Sequence, residues 1–101
     1  GDGIEVTFNA IVVGNISVSD GLGAGDGAGI HITGSRSLIE HNNVIGADRG
    51  IDVDMGSNTI VRNQVSANTV EFDVVAGNAL GPVVSAATIA TSSNPHANYT
   101  P

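Results

Sequence analysis

The sequence predicts an all-β chain wound into stacked coils, a parallel β-helix (a single-stranded solenoid) with about 21 residues per coil. Three observations predict it. The first is a repeated signature: Gly3-Ile4-Glu5-Val6, Gly29-Ile30-His31-Ile32, Gly50-Ile51-Asp52-Val53 and the degenerate Glu71-Phe72-Asp73-Val74, the last two steps each 21 residues long. The second is that the same period holds elsewhere, since Ile39 pairs with Ile60, Asn42 with Asn63 and Val44 with Val65. The third is composition. Ile and Val are plentiful, aromatic residues number three and 13% of residues are charged, about half the usual share. Such a chain suits β-branched columns. Fourteen glycines and the absence of any sustained i, i+3, i+4, i+7 stripe argue against packed helices.

Each coil reads as three short strands, with equivalent residues stacked about 4.8 Å apart. The expected inward columns are Ile4/Ile30/Ile51/Phe72, Val6/Ile32/Val53/Val74, Ile11/Ile39/Ile60 and Ile16/Val44/Val65. Gly14 is aligned with the corner residues Asn42 and Asn63; both residue types tolerate a left-handed backbone, and stacked Asn side chains bond to one another. Residues 19–28 carry a seven-residue insertion, rich in glycine and read as a flexible outer bulge. Its Asp20 and Asp26 supply the hard oxygen ligands that calcium takes, although the spacing is not that of a tandem calcium repeat. One further strand fits from Val70 through Val75, with Ala76-Gly77-Asn78 as its turn. The register is expected to fail at Gly81-Pro82, because Pro cannot donate to a central ladder. The chain therefore divides into coils over 1–81, roughly four of them, and a capping tail over 82–101, whose apolar segment Val83–Ala90 is expected to cover the open end.

The coils Gly29 to Val75 resemble the right-handed parallel β-helix repeat proteins, the pectate-lyase-like and tailspike-like superfamily. Asn78-Ala79-Leu80-Gly81-Pro82-Val83 and Asn94-Pro95-His96-Ala97-Asn98-Tyr99 are similar to the closing segment of secreted members. The resemblance implies a right-handed coil and an extracellular, cell-surface or virion-surface setting. It leaves activity open, because relatives include polysaccharide lyases, polygalacturonase-like hydrolases, alginate epimerases, phage tailspike depolymerases and structural shafts. The hydrolase motifs Asn-Thr-Asp, Gly-His-Gly and Arg-x-Lys are absent, as is the epimerase Asp-Pro-His-Glu.

Chemistry, if any, falls to the outward column Glu5, His31, Asp52 and Asp73, with Asp54 two residues along. Asp52 and Asp73 are expected about 4.8 Å apart and Asp52 and Asp54 about 6.6 Å apart, near the separations of retaining and inverting carboxylate pairs. Stacking produces such distances automatically, so the column also reads as a solubilising acidic face with Asp52 in solvent. His41 and Arg62 are a second equivalent pair, beside the Asn corner, and Arg36, Arg49 and Arg62 are placed on turns.

Ten carboxylates face three arginines and no lysine, a formal charge of −7. That excludes the clustered positive charge on which nucleic-acid and anionic-membrane binding draw. No run reaches transmembrane length, so no membrane insertion is expected. Without cysteine there is neither a disulfide nor a thiolate metal site. Scarcity of Trp and Tyr counts against a sugar-stacking cleft. The expected function is a non-catalytic extracellular module of a shaft or filament, presenting a surface for self-association or glycan contact. Its partners would be preceding coils of a longer chain, other copies of itself, or a polysaccharide. The alternative is a fragment of a carbohydrate-active enzyme using Glu5, His31, Asp52, Asp54 and Asp73.

Overall fold

The computed structural model describes residues 1–22 and 27–101. Among them there is no α-helix; the chain is a succession of short strands in three parallel sheets. The first sheet holds β1 (Ile4–Val6), β4 (Ala28–Ile32), β7 (Arg49–Val53) and β10 (Val70–Val74), in that order. The second holds β2 (Ile11–Val13), β5 (Leu38–Glu40), β8 (Thr59–Val61) and β11 (Ala79–Leu80). The third runs β3 (Ile16–Val18), β6 (Asn43–Ile45), β9 (Gln64–Ser66), β13 (Asn98–Thr100) and β12 (Val83–Ser85). Three consecutive strands thus supply one layer, one strand to each sheet.

The first-sheet columns are those the repeat predicts: Ile4, Ile30, Ile51 and Phe72 stand in register, as do Val6, Ile32, Val53 and Val74. Ile30, Ile32, Ile51 and Val53 are fully buried, each contributing on the order of 1.5–3 kcal/mol. Phe72 and Val74 at one end, and Ile4 and Val6 at the other, are only partly covered. The recurring glycine has a packing cause. A Cβ on Gly29 would lie 2.2 Å from Val44 Cγ1, and one on Gly50 2.4 Å from Val65 Cγ1, so the backbone here lies directly against the third-sheet column.

Two columns differ by one residue from expectation in the first layer. Val12, not Ile11, stacks under Ile39 and Ile60, and Ser17, not Ile16, stacks under Val44 and Val65. Ile11 and Ile16 face outward, 76% and 74% exposed. A one-residue shift exchanges the two faces of a strand. It also brings Asn15, rather than Gly14, under Asn42 and Asn63.

The corners follow one rule. A left-handed residue turns the chain, and the next residue points its side chain inward. The left-handed set includes Asn9, Arg36, Ser57 and Gly77 at the first corner, Gly14, His41 and Arg62 at the second, and Ser19, Gly46 and Ala67 at the third, with φ between 54° and 89°. The following Asn or Ser then accepts the backbone N–H of its counterpart one layer away: Asn42 from Asn15, Asn63 from Asn42, Ser37 from Ala10, Asn58 from Ser37, Asn78 from Asn58 and Asn68 from Ala47; Asn98, which follows no left-handed residue, accepts that of Asn63 in the same way. Buried backbone donors at each turn are satisfied in this way.

The 21-residue register does fail before Gly81-Pro82, but by a slip of one residue that keeps a short second-sheet strand. Ala79 and Leu80 pair with Thr59 and Ile60, one residue short of the period, and only then does the chain leave. Residues 82–101 are less a cap than a splice into the third sheet. Val83–Ser85 forms its edge, residues 86–96 are exposed, and the chain returns as β13 between β12 and β9. The segment Val83–Ala90 therefore does not cover the end as expected; within it only Val84 is half-buried. Asn98 explains the splice. Its Oδ1 accepts the Asn63 amide and its Nδ2 donates to Ile60 and Gly81 carbonyls, completing the Asn column with a residue 35 positions distant.

Candidate functional site

Alternation along the first sheet places Glu5, His31, Asp52 and Asp73 in one column. His31 sits at its centre. Nδ1 lies 2.9 Å from Asp2 Oδ2 and Nε2 lies 2.8 Å from Asp54 Oδ2, with Asp52 Oδ2 at 3.8 Å. Ionised carboxylates only accept hydrogen bonds, so both ring nitrogens donate and the ring is an imidazolium. Partial burial works against that charge. The hydrogen bonds to Asp54 and Asp2, with the charges of Asp52 and Asp2, outweigh it and raise the pKa to about 9.

Asp52 does not point into solvent. It is 3% exposed, covered by its neighbours, and its Oδ2 accepts a hydrogen bond from Arg49 Nη1 at 3.0 Å. Burial pushes its carboxyl upward and the charge of Asp54 adds to this, while Arg49 and His31 pull it down. Arg49 opens β7 rather than lying on a turn, and its Nε reaches Asp73 Oδ2 at 3.3 Å. Asp2 accepts the Ala28 N–H at 2.7 Å. Burial raises its pKa, but that bond and His31 prevail and hold it below the usual carboxylate value.

Layer by layer the face reads Asp2 and Glu5, then His31, then Arg49 together with Asp52 and Asp54, then Asp73, so that each cation lies among carboxylates of its own or the adjacent layers. The structure brings His31, Asp52, Asp54 and Asp73 into one network and leaves Glu5 exposed on the edge strand β1. Sequence reasoning missed Asp2 and Arg49. Both occupy the position immediately before the repeated glycine, where a charge in the first and third layers was the available signal.

Chemically, the network is committed to itself. A general base needs a lone pair near the working pH, and His31 has none until the pH approaches 9. Donor atoms of Asp2, Glu5 and His31, and of His31, Asp52 and Asp54, lie within 4.8 Å of one another, and in both groups His31 is hydrogen-bonded to the carboxylates beside it.

The other candidates are elsewhere. Asp20 accepts the Ser17 hydroxyl at 2.7 Å beneath Gly3, while Asp26, the second calcium candidate, lies outside the described residues. His41 and Arg62 are both left-handed corner residues; Arg62 bonds Glu40 and the Pro95 carbonyl. No helix among the described residues is long and apolar enough to cross a membrane. Comparison with family models, curated proteins and solved structures returned no match.

Proposed function

We propose that the three sheets are the faces of a right-handed parallel β-helix and that the chain is a non-catalytic, extracellular module of a shaft or filament. The observation that carries this reading is the continuity of the first-sheet columns, which run through four layers and arrive at both ends half-covered, at Ile4 and Val6 and at Phe72 and Val74. Columns of that kind gain by continuing. Further coils of the same polypeptide or other copies of the chain are the partners that would continue them. The charged column supports the structural role as well, because its acids and bases tie adjacent layers to one another.

The enzyme alternative requires Asp52 or Asp54 to act on a sugar, and each is engaged by a cation of the chain itself. Incubation with neutral and acidic polysaccharides, read by new reducing ends and by unsaturated products, tests the reading. No turnover is expected. Cleavage that disappears in Asp52→Asn or Asp73→Asn, with the fold intact, would overturn it.

A further inference from the structure

The register of the first sheet gathers three metal-ligating side chains from two adjacent interior layers. His31 on β4 pairs with Asp52 on β7, and Asp54 stands two residues beyond Asp52, on the same face. His31 Nε2 lies 2.8 Å from Asp54 Oδ2 and 3.8 Å from Asp52 Oδ2, and one donor atom from each residue falls within 4.8 Å of the others. We propose that His31, Asp52 and Asp54 are the binding site of a divalent transition-metal ion of the zinc type, which ties the β4 layer to the β7 layer. The site needs only the first-sheet register, so it goes beyond the shaft reading and stands or falls apart from it.

Distance supplies the first argument. Zinc binds imidazole nitrogen and carboxylate oxygen at about 2.0–2.2 Å in a tetrahedron, which sets two of its ligand atoms about 3.3 Å apart. The separations of 2.8 and 3.8 Å bracket that value. Seating an ion therefore asks Asp54 to withdraw and Asp52 to advance by about half an ångström each. Asp54 is half-exposed and has room to do so. Three protein ligands leave one tetrahedral position to water. A ring nitrogen in the set favours a first-row ion such as zinc over calcium, which takes oxygen ligands.

The surroundings of the ligands supply the second argument. A metal-bound histidine has its other ring N–H held by a carboxylate or carbonyl, which fixes the tautomer and aims the ring. Asp2 does this for His31: its Oδ2 takes Nδ1 at 2.9 Å, while its Oδ1 is pinned by the Ala28 N–H at 2.7 Å. Nε2 is thereby presented to Asp52 and Asp54. Asp52 is anchored in turn by Arg49 Nη1 at 3.0 Å. Without an ion, a proton on Nε2 bridges to Asp54. The ion takes that position and the proton leaves to the buffer. Charge favours the exchange. Asp2, Asp52, Asp54 and Asp73 are four carboxylates around two cations, and a divalent ion in place of the proton reduces the negative excess by one. The other group, Asp2, Glu5 and His31, would have to give up the Asp2 anchor to bind, which places the site at Nε2.

Isothermal titration of the chelator-treated 101-residue chain with zinc chloride, in two buffers of different ionisation enthalpy, tests the proposal. One ion per chain is expected, with release of about one proton. His31→Gln and Asp54→Asn should each weaken binding at least about tenfold, and Asp2→Asn, which touches no ion, should weaken it about 10–100-fold. His41→Gln and Asp20→Asn should leave it unchanged. Circular dichroism of each variant reports the fold, and Asp54→Asn, at a half-exposed position, keeps the test valid if His31→Gln does not fold. No saturable uptake of zinc, uptake that survives both His31→Gln and Asp54→Asn, uptake lost in His41→Gln, or uptake with no proton released would each overturn the site. Calcium chloride bound as tightly as zinc would overturn the class of ion.

Discussion

Two polar columns climb the same stack and are built on opposite principles. The corner column Asn15, Asn42, Asn63 and Asn98 is neutral, with its last three members buried, and the amide oxygens of those three each accept from the backbone and side chain of the neighbouring layer. The face column of Asp2, His31, Asp52, Asp54, Arg49 and Asp73 is ionic and partly open to water. An amide carries donors and acceptor in one uncharged group, so it can repeat without limit and without regard to pH. A charged column must alternate sign, and it holds only in the window where each member keeps its charge. Buried stacking therefore falls to the amides and surface cross-linking to the ions.

Substitution at the centre of the neutral column should have the largest effect. Asn63→Asp places an ionised group where Nδ2 now donates to Ile39 and Val61, and is expected to cost about 3–5 kcal/mol at pH 7 by urea unfolding. Part of that loss should return in acid, giving the neutral column the pH dependence it lacks; a flat response would break the comparison. Next is Gly50→Ala. Its Cβ would meet Val65 Cγ1 and, at 2.5 Å, the Glu71 carbonyl, so a loss of about 1–3 kcal/mol is expected from the same measurement.

The ionic column should show itself in alkali. Against the cost of partial burial, the surrounding carboxylates hold the His31 pKa at about 9 in the folded protein, against 6.5 for an ordinary histidine. Its contribution is fully present below 6.5, declines as pH rises and is lost on passing 9, an effect on the order of 1–3 kcal/mol. His31→Gln should remove the slope of stability against pH in that window. An unchanged slope would deny His31 its place in the column. Smallest is His41→Gly: relieving a left-handed φ of 57° at an exposed corner should change stability by no more than about 1 kcal/mol, in the stabilising direction.

How much of this was legible depends on which residues carry the pattern. In the first sheet Ile4, Ile30, Ile51 and Phe72 alternate with polar residues, and their register could be read directly. In the first layer, Ile11-Val12-Val13 is aliphatic throughout and Ile16-Ser17-Val18 turns its serine inward, so hydrophobicity selects the wrong member. Asn spacing would have found the register, because Val12 stands three residues before Asn15 as Ile39 does before Asn42 and Ile60 before Asn63. At the candidate site, the column itself was legible, but the burial of Asp52 was not. That burial depends on where Arg49 and His31 send long side chains, which spacing does not determine. The return of Asn98 was hidden for another reason: a contact spanning 35 residues leaves no periodic trace.

The splice of β13 between β9 and β12 separates order in the chain from order in space. β12 is synthesised first, yet it rests on β13, and β13 rests on β9. Folding outward from β9 therefore cannot follow the order of synthesis. Residues 83–85 must wait, or pair provisionally, until residues 98–100 have closed a loop and docked, and the entropy of that closure precedes any return from the contact. Sheet three is finished from its interior by a late arrival, so its completion should be a separate slow step, visible as amide protection that appears in β12 no earlier than in β13.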